Sequence, residues 1–170
     1  MTTETEFEKE CVRDARDFFH DHYEQGTLEP YLIAMHPQYG ITGRLPILGF
    51  FKNQSTKDGL RDQLIGLVHK GAREIIFVSE IWRAQGNPKE QKEVMEASIK
   101  WLDEHGSLKD FPGVREYLML THYSDAGDRL HFCEIKAGRK LGAWEEDYET
   151  TTGEGRFTNI FKRAREIEGN

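Results

Sequence analysis

One segment constrains the fold more than any other: Glu74-Ile-Ile-Phe-Val-Ser-Glu-Ile-Trp82. Its near-continuous apolar, β-branched and aromatic content is that of a strand covered on both faces. A strand of that kind sits at the centre of a sheet and needs a layer packed above it and below it.

The flanking sequence offers helices for both layers. Phe7, Cys11, Ala15, Phe18 and His22 recur at intervals of four, four, three and four, one stripe at helical period, and Phe19 widens it. Thr3 or Thr5 is placed to cap this helix, Glu6, Glu8 and Glu10 suit the positive end of its dipole, and Gly26 stops it. A second helix follows Asn53-Gln54-Ser55-Thr56, carries Leu60, Leu64, Leu67 and Val68, and ends at Gly71. A charged helix is predicted from about Lys89 to Glu104, with Val94, Ala97 and Trp101 inward, joined by Met95 and Leu102. The last helix starts near Thr158 with Ile160, Phe161, Ala164 and Ile167 as its stripe.

Four further strands are predicted. Leu28 to His36 and Ile41 to Phe51 pair across Gln38-Tyr39-Gly40, and Pro46, with no N–H to donate, puts the second at an edge or a bulge. Glu116 to Ser124 and Arg129 to Lys136 form a hairpin around Asp125-Ala126-Gly127-Asp128. Hairpins interleaved with helices define an α+β class: a mixed or mainly antiparallel sheet of about five strands with three to four packed helices. The crossover from the second strand through the second helix admits one parallel pair. The whole chain, residues 1–170, reads as a single domain, with 150–156 a mobile loop before the C-terminal helix.

Composition narrows the function. A chain of 170 residues hides about 70% of its unfolded surface on folding, enough for a core without disulfides or metal. The net charge of -7 disfavours nucleic acid, whose binding rests on Lys and Arg replacing counterions. It also disfavours anionic membranes, and no apolar run reaches the roughly 18 residues that span a bilayer. Two cysteines outside any CxxC pair, Cys11 and Cys133, and an acidic start without an apolar signal region lead to an expected cytoplasmic location with both thiols reduced.

Candidate chemistry concentrates on the hairpin. With Ala126 and Gly127 at its centre, His122 lies opposite His131 and Leu120 opposite Cys133, at Cβ separations of about 4.5–5.5 Å. Two imidazoles so close suit a shared metal ion or proton, with Glu80 as third ligand. A slip of one residue would send the two histidines to opposite faces. Glu80 shares the face of Ile76, Val78 and Trp82, so it must find a partner or take up a proton. It is therefore a general acid or base, or a salt-bridge partner of an arginine such as Arg83 or Arg129. The chain has no nucleophile elbow, Walker A loop, dinucleotide fingerprint or zinc-protease helix, and it names no cofactor.

The stretches Ile75-Ile76-Phe77-Val78-Ser79-Glu80-Ile81-Trp82, Arg115-Glu116-Tyr117-Leu118-Met119-Leu120, His131-Phe132-Cys133-Glu134-Ile135 and Lys140-Leu141-Gly142-Ala143-Trp144 resemble a group of uncharacterised bacterial proteins. That group combines a Val-Ser-Glu-x-Trp strand, an Arg-Glu strand and a closing Leu-Gly-x-Trp. The resemblance covers roughly residues 60–145. It implies the same strand placement and a bacterial or phage origin, and no activity.

Two functions are therefore expected. The first is a small soluble accessory or protein-binding domain without catalysis, with a protein partner. The alternative is a small metal-dependent hydrolase-type enzyme in which Glu80, His122 and His131 are catalytic and the two histidines bind the metal.

Overall fold

A computed structural model describes residues 4–23, 26–51, 53–84, 91–147 and 157–168. The loop expected at 150–156 and the expected helix start at Lys89 lie outside them. The chain runs α1 (Glu6–His22), β1 (Tyr31–His36), β2 (Gly40–Ile41), β3 (Leu45–Pro46), a 3-10 turn (Leu48–Phe51), α2 (Gln54–His69), β4 (Glu74–Ala84), α3 (Gln91–His105), β5 (Val114–Ser124), β6 (Gly127–Lys136), a second 3-10 turn (Ala137–Arg139), β7 (Lys140–Leu141), β8 (Glu145–Asp147) and α4 (Ile160–Glu168).

The class is α+β. The strands form one sheet in the order β2-β1-β4-β5-β6-β7, with β3 paired to β1 and β8 to β6. Every pairing among the described strands is antiparallel, so the crossover through α2 creates no parallel pair. The expected strand from Ile41 to Phe51 is instead two short pieces and a 3-10 turn. Pro46 pairs with Tyr31 at the end of β3, where its missing donor breaks no longer ladder.

β4 lies between β1 and β5, and alternation along it serves two cores. Ile76 and Val78 join Leu118, Leu120 and Cys133 beneath α1, whose Phe7, Cys11, Ala15 and Phe19 pack on that face. Ile75 and Phe77 face the other way, against Leu60 and Leu64 of α2 and Ile160, Phe161 and Ala164 of α4. The caps follow local chemistry. Thr5 accepts from the Glu8 N–H at the head of α1, and Asn53 with Thr56 forms a capping box on α2.

α3 departs from expectation. Val94 and Trp101 are only half-buried and Ala97 is exposed, while Met95, Ile99 and Leu102 are exposed by 55%, 56% and 44%. Its apolar arc is wider than the surface that covers it.

The hairpin is centred one residue earlier than expected. Asp125 and Ala126 make the turn, Ser124 pairs with Gly127, and the positive φ of 114° falls on Gly127 as β6 begins. Moving the centre by one changes each partner by two. His122 therefore faces Arg129, His131 faces Leu120, and Cys133 faces Leu118. A shift of two preserves the faces, so both histidines still point toward α1.

Candidate functional site

α1 packs on the sheet with small apolar residues at mid-length, Cys11 and Ala15, and ionic groups at both ends. Glu8 lies one turn into the helix on the buried stripe and is fully buried. Beneath it stand His122 from β5 and Arg129 and His131 from β6, which are 3%, 7% and 2% exposed. Four buried ionisable groups on one face persist only if they satisfy one another.

They do so in a defined order. His131 Nε2 bonds Glu8 Oε2 at 2.6 Å, and Glu8 Oε1 lies 3.2 Å from Arg129 Nη1 and 3.4 Å from His122 Nδ1. That oxygen makes no well-directed hydrogen bond and is held by charge. His122 Nε2 reaches Glu74 Oε1 at 2.7 Å, and the Thr5 hydroxyl bonds the same oxygen. β8 pairs Glu146 directly with His131, and its carboxylate stands 3.7 Å from Nδ1. Glu4 comes within 4.0 Å of His131 Nε2.

Burial works to raise the Glu8 carboxyl, but the His131 hydrogen bond and the charges of His122, Arg129 and His131 outweigh it, leaving Glu8 below its ordinary range. Glu8 is therefore held as a carboxylate.

Glu80 is elsewhere. It shares the α1 face but lies six residues along β4 from Glu74, a span of about 20 Å. There it pairs with Arg139 and accepts from the Leu28 N–H at 2.9 Å. The expected third ligand is thus not gathered with the histidines. Its partner among the described residues is Arg139, from the turn after β6, whereas Arg129 stands beside Glu8; the side chain of Arg83 lies outside the described residues.

Glu74, Glu8, Glu4 and Glu146 surround the histidines instead. Glu74 was visible as the first residue of the central strand. Glu8 is legible only as an acidic residue beside the apolar stripe position Phe7, and Glu10, two residues on, is acidic as well. Glu4 and Glu146 carry no sequence signal, because their placement depends on where α1 and β8 lie. His36, at the end of β1, caps its own turn: Nδ1 accepts from the N–H groups of Gln38 and Tyr39 at 3.0 and 3.1 Å.

Among the described residues, Glu4, Glu8 and His131 form a group whose three ligand atoms all lie within 4.8 Å of one another. Two ligands bound to one cation at about 2.1 Å stand roughly 3 Å apart. The 2.6 Å and 4.0 Å spacings from His131 Nε2 bracket that value. Comparison of the chain with family models, with curated proteins and with solved structures finds no match. No helix among the described residues is long and apolar enough to cross a membrane.

Proposed function

We propose that this chain is a metal-dependent hydrolase-type protein whose divalent cation is held by Glu4, Glu8 and His131. The observation that carries the reading is that three convergent ligand atoms are braced from behind. Arg129 and His122 hold the far oxygen of Glu8, and Glu146 faces the far nitrogen of His131. Metal-ligating histidines commonly turn their second nitrogen to a carboxylate, which fixes the ring and its tautomer. Mixed oxygen and imidazole donors suit zinc, manganese or iron.

A cation with three protein ligands supplies Lewis acidity and an activated water. The protein's own part is positioning and charge. Glu74 anchors His122 through its 2.7 Å bond, and Glu4 and Glu146, 25% and 36% exposed, form the solvent side. Four carboxylates against one guanidinium favour a neutral substrate, such as an amide or ester, over a phosphate ester. Cytoplasmic residence and a bacterial or phage origin belong to the same reading, since two buried free thiols suit a reducing compartment.

Elemental mass spectrometry of the purified protein, with melting in zinc, manganese and EDTA, tests this. Stoichiometric metal that is lost in Glu8→Gln and His131→Ala and kept in Glu80→Gln is the expected result. No bound metal and no shift in melting would end the reading.

The exposed stripe Met95, Ile99 and Leu102 favours a second reading, a protein-binding domain that docks through α3. Sedimentation of the wild type against Ile99→Asp tests it with a second copy as partner. A dimer lost in the variant supports it, and a monomer at every concentration removes that role.

A further inference from the structure

The far end of α1 carries a second ionic cluster that the metal reading does not use. Arg139 reaches three elements at once. Its Nε donates to the Tyr23 carbonyl at the C-terminus of α1 at 2.8 Å, and its two terminal nitrogens pair with Glu80 of β4 and, at 3.3 Å, with Glu116 of β5. Phe19 lies under the guanidinium, 4.9 Å from it to the ring centroid. Arg139 holds this position at φ 57°, the left-handed region that a side chain disfavours. One cation thus faces two carboxylates.

The side chain of Glu80 is 6% exposed and its Oε1 is bonded twice, to Arg139 and to the Leu28 N–H, but its Oε2 is buried without a hydrogen-bond donor. A buried acceptor of that kind is costly, and the Glu116 carboxyl, which shares the Arg139 guanidinium with Glu80, is a neighbouring group that can become a donor. We propose that Glu80 and Glu116 hold one proton between them, Glu116 donating it to Oε2 of Glu80, and that this proton closes the clasp formed by Arg139 over β4, β5 and α1.

The charge balance follows. With the proton in place, one guanidinium faces one net negative charge. Without it, two carboxylates compete for Arg139 and Oε2 faces a like charge. Glu116, 23% exposed, is the group free to turn toward water. Burial, the charge of Glu80 and a hydrogen bond to Glu80 push the Glu116 carboxyl above its ordinary 4.5, against the pull of Arg139. A group whose folded value is raised contributes stability that is present below its unfolded value and is lost as pH rises through the folded one. The clasp therefore loosens on the alkaline side, freeing the turn Ala137–Arg139 and the end of α1. The titratable and charged groups facing Glu116 among the described residues are Glu80 from β4 and Arg139 from that turn.

Two measurements test it. In a carboxyl carbon NMR titration of the wild type, the Glu116 signal should move in a step above its ordinary 4.5. In melting against pH, Glu116→Gln, whose amide donates at every pH, should gain on the wild type as pH rises, whereas Glu116→Ala should not. A Glu116 signal that titrates at or below 4.5 overturns the proposal, as does a Glu116→Gln curve parallel to the wild type. If that variant fails to fold, the wild-type titration decides alone. Metal content is expected to be unchanged in Glu116→Gln, so failure here is separate from failure of the metal reading.

Discussion

Glu8→Ala is the sharpest probe of the site. Alanine is the best helix former, so α1 loses nothing by intrinsic propensity; losing the first-turn charge of Glu8 costs about 0.3–1 kcal/mol, and the remainder reports the network. The substitution leaves Arg129, with its side chain 8% exposed, facing two buried imidazoles without the carboxylate that joined them. Deleting one partner of a buried ion pair costs about 3–5 kcal/mol. At roughly 2–4 °C per kcal/mol for a chain of this size, melting should fall by about 6–20 °C. The deficit should also depend on pH. The Glu8 carboxyl is held below its ordinary 4.5, so its contribution is complete above that value and fades as pH falls through the folded one. Urea unfolding at pH 7 and at pH 3.5 measures both quantities. A loss under about 1 kcal/mol at pH 7, or one that grows on acidification, would refute the account of Glu8 as the hub.

Two further outcomes are expected. Gly71→Ala should destabilise by about 1–3 kcal/mol, because Gly71 sits at φ 103° and a Cβ there would stand 2.6 Å from His36 Nε2. Adding His36→Ala should relieve the clash and leave the backbone strain, so the two effects in denaturant melts will not add. Burial pushes the Cys11 and Cys133 thiols up to about 12, so a thiol reagent at neutral pH should label neither in the native protein and both in denaturant. Stoichiometric labelling of either thiol in the native fold within seconds would contradict that.

How much of this was legible in the sequence depends on the range of the interaction that decides it. The strand Glu74–Trp82 announced itself as two-sided because nearly every position is apolar, and the α1 stripe did so by its spacing. These are properties of consecutive residues, and so are the Thr5 and Asn53 caps. The common face of His122 and His131 was legible too, since alternation along two paired strands survives a register shift of two.

The partners were not legible. Whether the turn centres on Asp125-Ala126 or on Ala126-Gly127 is a choice of one residue. It decides whether His122 faces His131 or Arg129. Nor does any spacing relate Glu80 to Arg139, 59 residues on, or Glu8 to His131, 123 residues on. α3 shows the converse: its sequence supplies a broad apolar arc, and only the packed molecule decides that half of it stays uncovered. The sequence alone determined which residues lie on which face of which element. Tertiary structure decided which ends of those faces meet, because the two ends of α1 fall over different charged groups, Glu74 at one end of β4 and Glu80 with Arg139 toward the other. That placement makes one acidic cluster a candidate cation site and the other a proton-sharing pair.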